Sequence, residues 1–382
     1  MLFLNNADVL KVLTMADCVR VHEEGEVELA RGELAARPRF DTIVTTPKPD
    51  HFYRWGTVEA ASKATQTQAI RIKSDIVYYE QHGDSLVEEK YASRPGLFCG
   101  LVMLFDTSNG EPLAIINDGN LQLARVGAKN ALGVKYLSRP DSKVVGMLGS
   151  GGQAKSHLEA FATVRPIQRC NVFSPTQANR EAFAREMSRK LGIDVVAVDS
   201  PEKAVAGADI LATCTNSMRH VLFANMVKPG MHLSAVANEW DRAVAPMVDV
   251  SAASAEGRMF RGNPIEPAEG TVGAAAVYAA ASESELQRLV EISGTRYAQA
   301  GAHREGGNAP RKMRSVPIAD LIEGTAQGRL NDAEISSSQG IGTAGTSGMS
   351  FVAVGRLVYE LARERGLGTE VPTDLFLQDV RN

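Results

Sequence analysis

The chain has 382 residues, of which 44% are hydrophobic, so it is long enough to bury the cores of two domains. Its 41 Lys and Arg residues against 45 Asp and Glu residues give a formal net charge of −4, and no long basic run occurs, so we expect no nucleic-acid partner. A run of about 18 apolar residues and a signal-peptide pattern are both missing, which predicts a cytoplasmic protein that does not bind a membrane.

The cysteines and histidines show no spacing typical of a metal site. The four cysteines lie far apart without a CxxC pair, and no HxxxH motif is present. We therefore predict reduced thiols and no metal. His232 lies inside an apolar run and is interpreted as a core histidine.

The first third of the chain predicts a helix followed by a sheet. Residues 7–31 have apolar side chains at helical spacing. From residue 37 to about 116, short β-type runs alternate with Gly, Pro, Asp and Asn, with a hairpin-like turn at 107–110. Residues 121–137 return to helical spacing and are predicted to be the helix that joins two domains.

From residue 143 onwards, strand and helix patterns alternate, which predicts βαβ units and a parallel sheet. Residues 251–315 are rich in Ala, Gly and Ser and are predicted to form helices and one exposed loop. Helical spacing returns near the C-terminus. We therefore predict an α/β fold with a Rossmann-type domain at 121–330 and a mixed-sheet domain made of 1–120 and 331–382.

A glycine-rich turn between an apolar strand and a helix carries the sharpest functional signal. The strand KVVGML is followed by a G-x-G-x-x-A pattern that opens a helix, which is the context of a dinucleotide fingerprint. The alternative is a purely structural glycine turn. The predicted phosphate-binding residues are Gly149, Ser150, Gly151, Gly152, Gln153 and Ala154.

The end of the next predicted strand bears on the choice of cofactor. An Asp or Glu usually binds the ribose 2′-hydroxyl of NAD there, but this chain has Ser174 and Thr176, followed by Arg180. Two hydroxyls and a guanidinium favour NADP(H) over NAD(H). In the alternative, Arg180 is a solvated helix residue and the protein accepts either cofactor. Thr215, which ends the run DILATCT, is also assigned to the cofactor site.

Longer motifs on either side of this turn resemble one known family. The segments are FDTSNGEPLAIINDGNLQLARVGAKNALGVKYLSRPDS, GSGGQA and TCTNSMRHVLFANMVKPGMHLSAV. They resemble the ornithine cyclodeaminase/mu-crystallin family, whose members include cyclodeaminases, amino-acid dehydrogenases, ketimine and imine reductases and a hormone-binding crystallin. The resemblance implies a bound NAD or NADP, a substrate domain that also forms a homodimer, and a small amino or imino acid as substrate.

The resemblance also implies three residues of the substrate pocket. Arg125 takes the place of the arginine that binds the substrate carboxylate, and Arg39 that of a second carboxylate ligand. Lys73 corresponds to a group that transfers a proton near the reacting nitrogen. Arg71 is two residues from Lys73, so on a strand both side chains would lie on the same face.

One departure from the family pattern affects the predicted reaction. Cyclodeaminases carry a catalytic Asp after the equivalent of Val236, but here Glu239 takes that position in an ungapped alignment, and Asp241 does so after a two-residue shift. Both are candidate catalytic groups; the alternative is a solvated loop.

We therefore predict an NAD(P)(H)-dependent oxidoreductase that acts on the C–N bond of an amino or imino acid, with Lys73 or Glu239 supplying the proton. A cyclodeaminase that releases ammonia and returns the hydride is the alternative, and a binding protein without turnover is a third hypothesis. The sequence does not determine the substrate.

Overall fold

The computed structural model describes residues 1–82, 85–237, 239–255, 264–267, 276–280, 283–293, 295–297, 313–341 and 346–380. Its helices are α1 Asn6–Val12, α2 Met15–Ala30, α3 Asp118–Leu137, α4 Gly152–Val164, α5 Gln177–Leu191, α6 Pro201–Val205, α7 Glu283–Ser293, α8 Ile318–Ile322 and α9 Gly348–Glu364. The first strands are β1 Leu2–Leu4, β2 Leu34–Thr45, β3 Phe52–Ser62, β4 Thr67–His82, β5 Ser85–Tyr91, β6 Cys99–Asp106 and β7 Pro112–Asn117. The later strands are β8 Val144–Leu148, β9 Arg169–Phe173, β10 Asp194–Ala197, β11 Ile210–Thr213, β12 His232–Ala235, β13 Val250–Ala253, β14 Pro264–Pro267, β15 Ala276–Ala280, β16 Thr295–Tyr297, β17 Arg314–Pro317, β18 Ser336–Gly340 and β19 Thr369–Glu370.

One of the two sheets is mixed, with the strand order β16-β14-β15-β2-β3-β4-β6-β7-β1-β19, and β5 pairs with β4. Its centre, from β2 to β7, is antiparallel, while β1 joins β7 and β15 joins β2 in parallel. Successive side chains of a strand point to opposite faces. Helix α9 packs on one of these faces, where its Gly355 lies against Val102 and Leu104 of β6.

The second sheet is parallel throughout, with the order β10-β9-β8-β11-β12-β18-β13-β17. The strand order reverses at β8, which makes the carboxyl end of β8 the switch point at which open α/β sheets bind ligands. Helix α3 packs against both α4 and α2 and so joins the two sheets. The predicted α/β fold, with a Rossmann-type domain and a mixed-sheet domain, is confirmed.

The strand pairing corrects the predicted domain boundaries. Strand β18 lies beyond residue 330, yet it inserts between β12 and β13 of the parallel sheet. Conversely, β14, β15 and β16 lie before residue 330 but extend the mixed sheet through the pairing of β15 with β2. The chain therefore crosses between the sheets more often than local patterns indicate, because pairing of distant strands leaves no local signal.

The predicted helix at 7–31 is two helices, α1 and α2. The break occurs at Leu13, which is extended, and Thr14 then begins α2 by accepting a hydrogen bond from the backbone N–H of Asp17 at 3.1 Å. Such a side-chain cap stabilises a new helix start. The continuous apolar periodicity hid this break.

The remaining predictions concern absences, one loop and one histidine. No helix in the described ranges is long and apolar enough to cross a bilayer. In the same ranges, no group of three or more His, Cys, Asp or Glu side chains is placed so that it could hold a metal ion. The predicted exposed loop at 300–312 lies outside the described residues. His232 is fully buried, with its ring nitrogens 2.9 and 2.8 Å from the hydroxyls of Ser336 and Ser338.

Candidate active site

The predicted glycine turn joins β8 to α4 at the carboxyl edge of the parallel sheet. Gly149 has φ of +110°, and a Cβ at this position would overlap the carbonyl oxygen of Cys214, so only glycine fits. Gly151 is the N-cap of α4 and makes no side-chain cap, so the helix N–H groups point towards the open side of the turn. Ala154 is fully buried where α4 meets the sheet. This geometry matches the turn that binds a dinucleotide pyrophosphate.

A cavity of about 1250 Å³ extends from this turn. The buried Oε1 atom of Gln153, on the first turn of α4, has no hydrogen-bond partner in the part of the chain that the structure describes. Strand β5 of the mixed sheet closes one side through Val87, which also pairs with Ser217. The predicted cofactor residues that line the cavity are Gly149, Ser150, Gly151, Gly152, Gln153, Ser174, Thr176 and Thr215. Its size and its position at the switch point suit an extended dinucleotide.

Arg180 belongs to the turn that follows β9. Its Nη1 atom donates hydrogen bonds to the backbone carbonyls of Ser174 and Pro175, at 3.0 and 3.2 Å. The Ser150 hydroxyl donates to the Ser174 hydroxyl at 2.8 Å and connects this turn to the glycine turn. Arg180 also lines a smaller cavity of about 320 Å³ together with Lys203. The turn after β9 thus carries hydroxyls and the Arg180 guanidinium, while the smaller cavity is also lined by the carboxylates of Glu181 and Asp199.

On the mixed sheet, Lys73 lies in a row between two glycines. Lys73 of β4 pairs with Gly56 of β3 on one side and with Gly100 of β6 on the other. A Cβ on Gly56 would lie 2.5 Å from Oδ1 of Asp41, and a Cβ on Gly100 would overlap the carboxylate of Asp118. The missing side chains thus make room for two carboxylates, one on each side of Lys73.

Each of these carboxylates binds an arginine. Arg39 donates from Nε and Nη2 to Asp41 at 2.8 and 2.6 Å, and Asp41 is fully buried. Arg71 donates from Nε to Asp118 at 2.6 Å, and both residues are buried. Buried ion pairs of this kind keep both charges in fixed positions, because separating the pair would leave an uncompensated buried charge.

Arg125 completes the group of guanidiniums and differs from the other two. Arg125 and Arg71 both lie over the ring of Phe351. The guanidinium carbon of Arg125 is 4.8 Å from the ring centroid, and that of Arg71 is 5.6 Å from it. Its Nε and Nη2 atoms donate to the Gln122 amide at 3.1 and 3.0 Å, and no carboxylate among the described residues forms an ion pair with it. Burial and the neighbouring Arg71 lower the pKa of Arg125 to about 9, although Asp118 opposes this shift. Arg125 is therefore a half-buried cation without an anionic partner among the described residues.

Lys73 contacts the Asp75 carboxylate, which lies on the same face of β4. Burial lowers the pKa of Lys73 to about 6, with further contributions from Lys90 and Arg54 and with Asp75 opposing them. Arg54 forms a two-point ion pair with Glu88 of β5 at 3.0 and 2.9 Å. Lys73 thus lies beside the strand that closes the dinucleotide cavity, and its protonation state can change near neutral pH.

The Glu239 carboxylate is held by hydrogen bonds from β11 and the loop after it. It is almost fully buried, and its Oε1 accepts from the backbone N–H and the hydroxyl of Thr215 at 2.7 and 2.9 Å. Its Oε2 accepts from the hydroxyl of Thr213 at 2.6 Å. These bonds occupy both carboxylate oxygens and connect Glu239 with the loop after β11. The catalytic role of Glu239 stays a prediction.

Asp241 is more accessible than Glu239. Its side chain is 37% exposed and lies 3.8 Å from the Nδ1 atom of His220, which lines the dinucleotide cavity. The described contacts do not connect it with Lys73. Asp241 therefore lies beside His220 of the cavity wall, and no described contact joins it to the three arginines.

The sequence analysis missed Asp41, Asp75 and Asp118. Two of them had a local signal, since Asp41 follows Arg39, and Asp75 follows Lys73, at the two-residue spacing that places side chains on one face of a strand. Asp118 had no such signal, because it is 47 positions from Arg71 in the sequence.

We predict that Gly100→Ala lowers the free energy of unfolding by about 2 kcal/mol, because the new methyl group overlaps the buried carboxylate of Asp118. Urea denaturation monitored by circular dichroism measures the loss. Cys99→Ala, on the opposite face of the same strand, is the control, and its change should stay below about 1 kcal/mol. Equal losses in both variants would contradict the close approach of Gly100 to Asp118.

The sequence of residues 2–243 matches the family model of the ornithine cyclodeaminase/mu-crystallin family, and the chain belongs to this family. The family that the three motifs indicated is therefore confirmed. A Delta(1)-pyrroline-2-carboxylate reductase from Bacillus cereus is 29% identical over 273 residues, which cover 71% of this chain and 74% of that protein. The ketimine reductase mu-crystallin of Rattus norvegicus is 33% identical over 195 residues, which cover 51% of this chain and 57% of that protein.

Solved structures share the whole architecture. The Delta(1)-pyrroline-2-carboxylate reductase of Thermococcus litoralis, in complex with NADH and L-proline, has a TM-score of 0.70 at 24% identity, covering 97% of this chain and 100% of that chain. An archaeal alanine dehydrogenase dimer with bound NAD has a TM-score of 0.68 at 21% identity, covering 97% of this chain and 99% of that chain. At these identities the similarity establishes the fold.

Proposed function

We propose that this protein is an NAD(P)H-dependent oxidoreductase that reduces the C=N bond of a small α-imino acid, or oxidises the corresponding amino acid. The observation that carries the proposal is the half-buried Arg125, which lacks a carboxylate partner in the described chain and lies near Arg71 over the Phe351 ring. A buried guanidinium without an anion is unfavourable unless a ligand supplies one. An α-imino or α-amino acid brings such a carboxylate next to the carbon that reacts.

The dinucleotide cavity has the groups needed to hold the cofactor. The glycine turn 149–152 and the N-terminus of α4 would bind the pyrophosphate, Ser174 and Thr176 the adenosine ribose, and Thr215 the far end of the cofactor. When bound, the nicotinamide supplies the hydride to the substrate α-carbon or accepts it from there. Glu239 would fix Thr215 through its two hydrogen bonds.

The chain's own residues would orient the substrate and move the proton. Arg125 would bind the carboxylate with two parallel hydrogen bonds, while its guanidinium lies over the Phe351 ring. Lys73 would donate a proton to the substrate nitrogen during reduction and accept one during oxidation. Reduction consumes one imine, one hydride and one proton, and yields the amine and the oxidised cofactor.

The relatives support a cyclic imino acid as the first substrate to test. Proteins similar to this chain are named Delta(1)-pyrroline-2-carboxylate reductase and ketimine reductase mu-crystallin. Both names denote reduction of a C=N bond. The cyclodeaminase alternative is less favoured, because Glu239 replaces the expected Asp and its carboxylate is occupied by Thr213 and Thr215.

Nicotinamide absorbance with purified protein tests the proposal. Δ1-pyrroline-2-carboxylate with NADPH or NADH should give steady loss of absorbance and formation of proline. A parallel reaction with ornithine and NAD⁺ is followed by ammonia release. Ammonia and proline from ornithine without a net absorbance change would overturn the reductase proposal and support the cyclodeaminase.

For cofactor choice, we predict that Arg180→Ala lowers kcat/KM for NADPH by about 30-fold, because the Arg180 guanidinium, held at the turn after β9, would pair with the 2′-phosphate. The value for NADH should change by less than about threefold. Arg185→Ala is the matched control, since Arg185 lies on the same helix and is 72% exposed. An equal loss with both cofactors in Arg180→Ala would show that the turn does not recognise a 2′-phosphate.

We further propose that the protein is a homodimer that uses the free face of the mixed sheet. Opposite the face covered by α9, the cross-strand pairs Ile70–Met103, Ile72–Leu101 and Met103–Ile115 form a partly exposed apolar surface. Such a continuous apolar surface is typical of subunit interfaces. One of the structures with the same fold is described as a dimer.

Sedimentation velocity tests the dimer, with Ile72→Asp as the disrupting variant. We expect the wild type to sediment as a dimer and Ile72→Asp as a monomer, because a charge would be buried without a partner in the interface. Arg185→Asp, on the surface of α5, should leave the dimer intact. A dimer in both variants would place the interface elsewhere.

A further inference from the structure

The substrate pocket contains fixed negative charges as well as arginines. Arg39 is paired with Asp41 and Arg71 with Asp118, so these four charges cancel in pairs. Arg125 forms no ion pair with any residue in the described part of the chain. A substrate therefore meets three guanidiniums but only one uncompensated positive charge.

The two carboxylates are packed against the mixed sheet, Asp41 from β2 and Asp118 from the start of α3. Asp41 is fully buried, Asp118 is 7% exposed, and Gly56 and Gly100 provide the space that each carboxylate fills. Neither aspartate can rotate away from its arginine without leaving a buried charge unpaired. Arg39 and Arg71 are thus not free to pair with a second anion.

We infer that Asp41 and Asp118 select for substrates with a single carboxylate and reject substrates that carry a second one. The inference rests on the proposed function and assigns a specificity role to two residues that lie beside the row of Gly56, Lys73 and Gly100. One carboxylate binds Arg125. A second carboxylate on the same small molecule finds no uncompensated cation, since Asp41 and Asp118 already neutralise Arg39 and Arg71, so the cost of its desolvation is not offset.

Planar ligands measure this selectivity without turnover. Pyrrole-2-carboxylate carries one carboxylate on a flat five-membered ring, and pyrrole-2,5-dicarboxylate carries two. Calorimetric titration into the protein saturated with NADH should give a Kd for the dicarboxylate about 100-fold weaker than for the monocarboxylate. The ligand 5-methylpyrrole-2-carboxylate is the size control, because it fills similar space without the second charge.

Two nearly isosteric variants separate charge from shape. Asp41→Asn removes the anionic partner of Arg39, and Asp118→Asn removes that of Arg71. The ratio of the two Kd values, dicarboxylate over monocarboxylate, should therefore fall by about tenfold in at least one variant. Asp194→Asn is the control, since Asp194 is 59% exposed at the edge of the parallel sheet and should leave the preference unchanged. Thermal unfolding of each variant verifies that it is folded.

The outcomes distinguish this inference from the proposed function. Equal affinity of the wild type for both pyrrole ligands, or an unchanged preference in two folded Asn variants, would overturn the selection by charge. Weak binding of 5-methylpyrrole-2-carboxylate as well as of the dicarboxylate would assign the rejection to shape and overturn it too. If neither pyrrole ligand binds and the imine is not reduced, the carboxylate site and the proposed function fall together.

Discussion

Arg125→Met should lower kcat/KM for Δ1-pyrroline-2-carboxylate by about 1000-fold, which corresponds to about 4 kcal/mol. The substrate carboxylate would enter the pocket without its only unpaired cation, next to Asp118 and Asp41. Arg125→Lys keeps the charge but loses the two parallel hydrogen bonds, so we expect an intermediate loss of about 30-fold. Initial rates over a range of substrate concentrations measure both values.

The stability of Arg125→Met provides an independent check. Burial and Arg71 lower the pKa of Arg125 to about 9, which shows that the folded protein disfavours its charge in the absence of an anion. Replacing such a group with an apolar side chain of similar length should leave the melting temperature unchanged or raise it. Arg20→Met, on the exposed face of α2, should change neither activity nor stability measurably. A large loss of stability in Arg125→Met would indicate a structural role in place of a substrate-binding one.

The second large effect concerns Lys73 and pH. Burial, Lys90 and Arg54 lower the pKa of Lys73 to about 6, so the ammonium form predominates below this pH and the neutral amine above it. If Lys73 donates the proton, kcat/KM for imine reduction falls as the pH rises through about 6. In the reverse direction the neutral amine is needed, so amino-acid oxidation rises through the same pH range. Lys73→Met should lower both activities by about 1000-fold and remove this pH dependence.

Two neighbouring charges should shift this pH profile in opposite directions. Asp75 stabilises the Lys73 ammonium, so Asp75→Asn should move the reduction profile to lower pH. Lys90 repels it from an exposed position, so Lys90→Met should move the profile to higher pH. Opposed shifts distinguish titration of Lys73 from a general loss of structure. A profile that neither variant moves would show that another group controls the pH dependence.

The sequence identified the cofactor turn because its signal is local. A strand, a G-x-G-x-x-A turn and a helix occupy one continuous segment, and the φ of +110° at Gly149 shows why glycine is needed there. The family motifs in the same way identified the protein family, which the match over residues 2–243 confirmed. The relatives' names agree with the predicted oxidoreductase acting on a C–N bond.

The hydrogen bonds of Glu239 could not be predicted from the sequence, for a physical reason. Position in an alignment places its backbone after β12, but it does not determine which hydrogen-bond donors surround the carboxylate. Thr213 and Thr215 come from the neighbouring strand β11 and its loop, and they bind both carboxylate oxygens. Contacts between neighbouring strands of a parallel sheet join residues that are distant in the chain, so only the folded structure shows the hydrogen-bond partners of Glu239.

The sequence by itself therefore determined the class of fold, the dinucleotide turn and the candidates Arg125 and Lys73, because each rests on a short pattern of residues. Only the tertiary structure decided which of the three arginines lacks a carboxylate partner among the described residues. The pairing of Arg71 with Asp118 depends on the register of β4 against β6 and on the start of α3, and Gly100 leaves the space for it. Charge compensation between segments far apart in sequence is set by strand register, and strand register is fixed only when the whole sheet has formed.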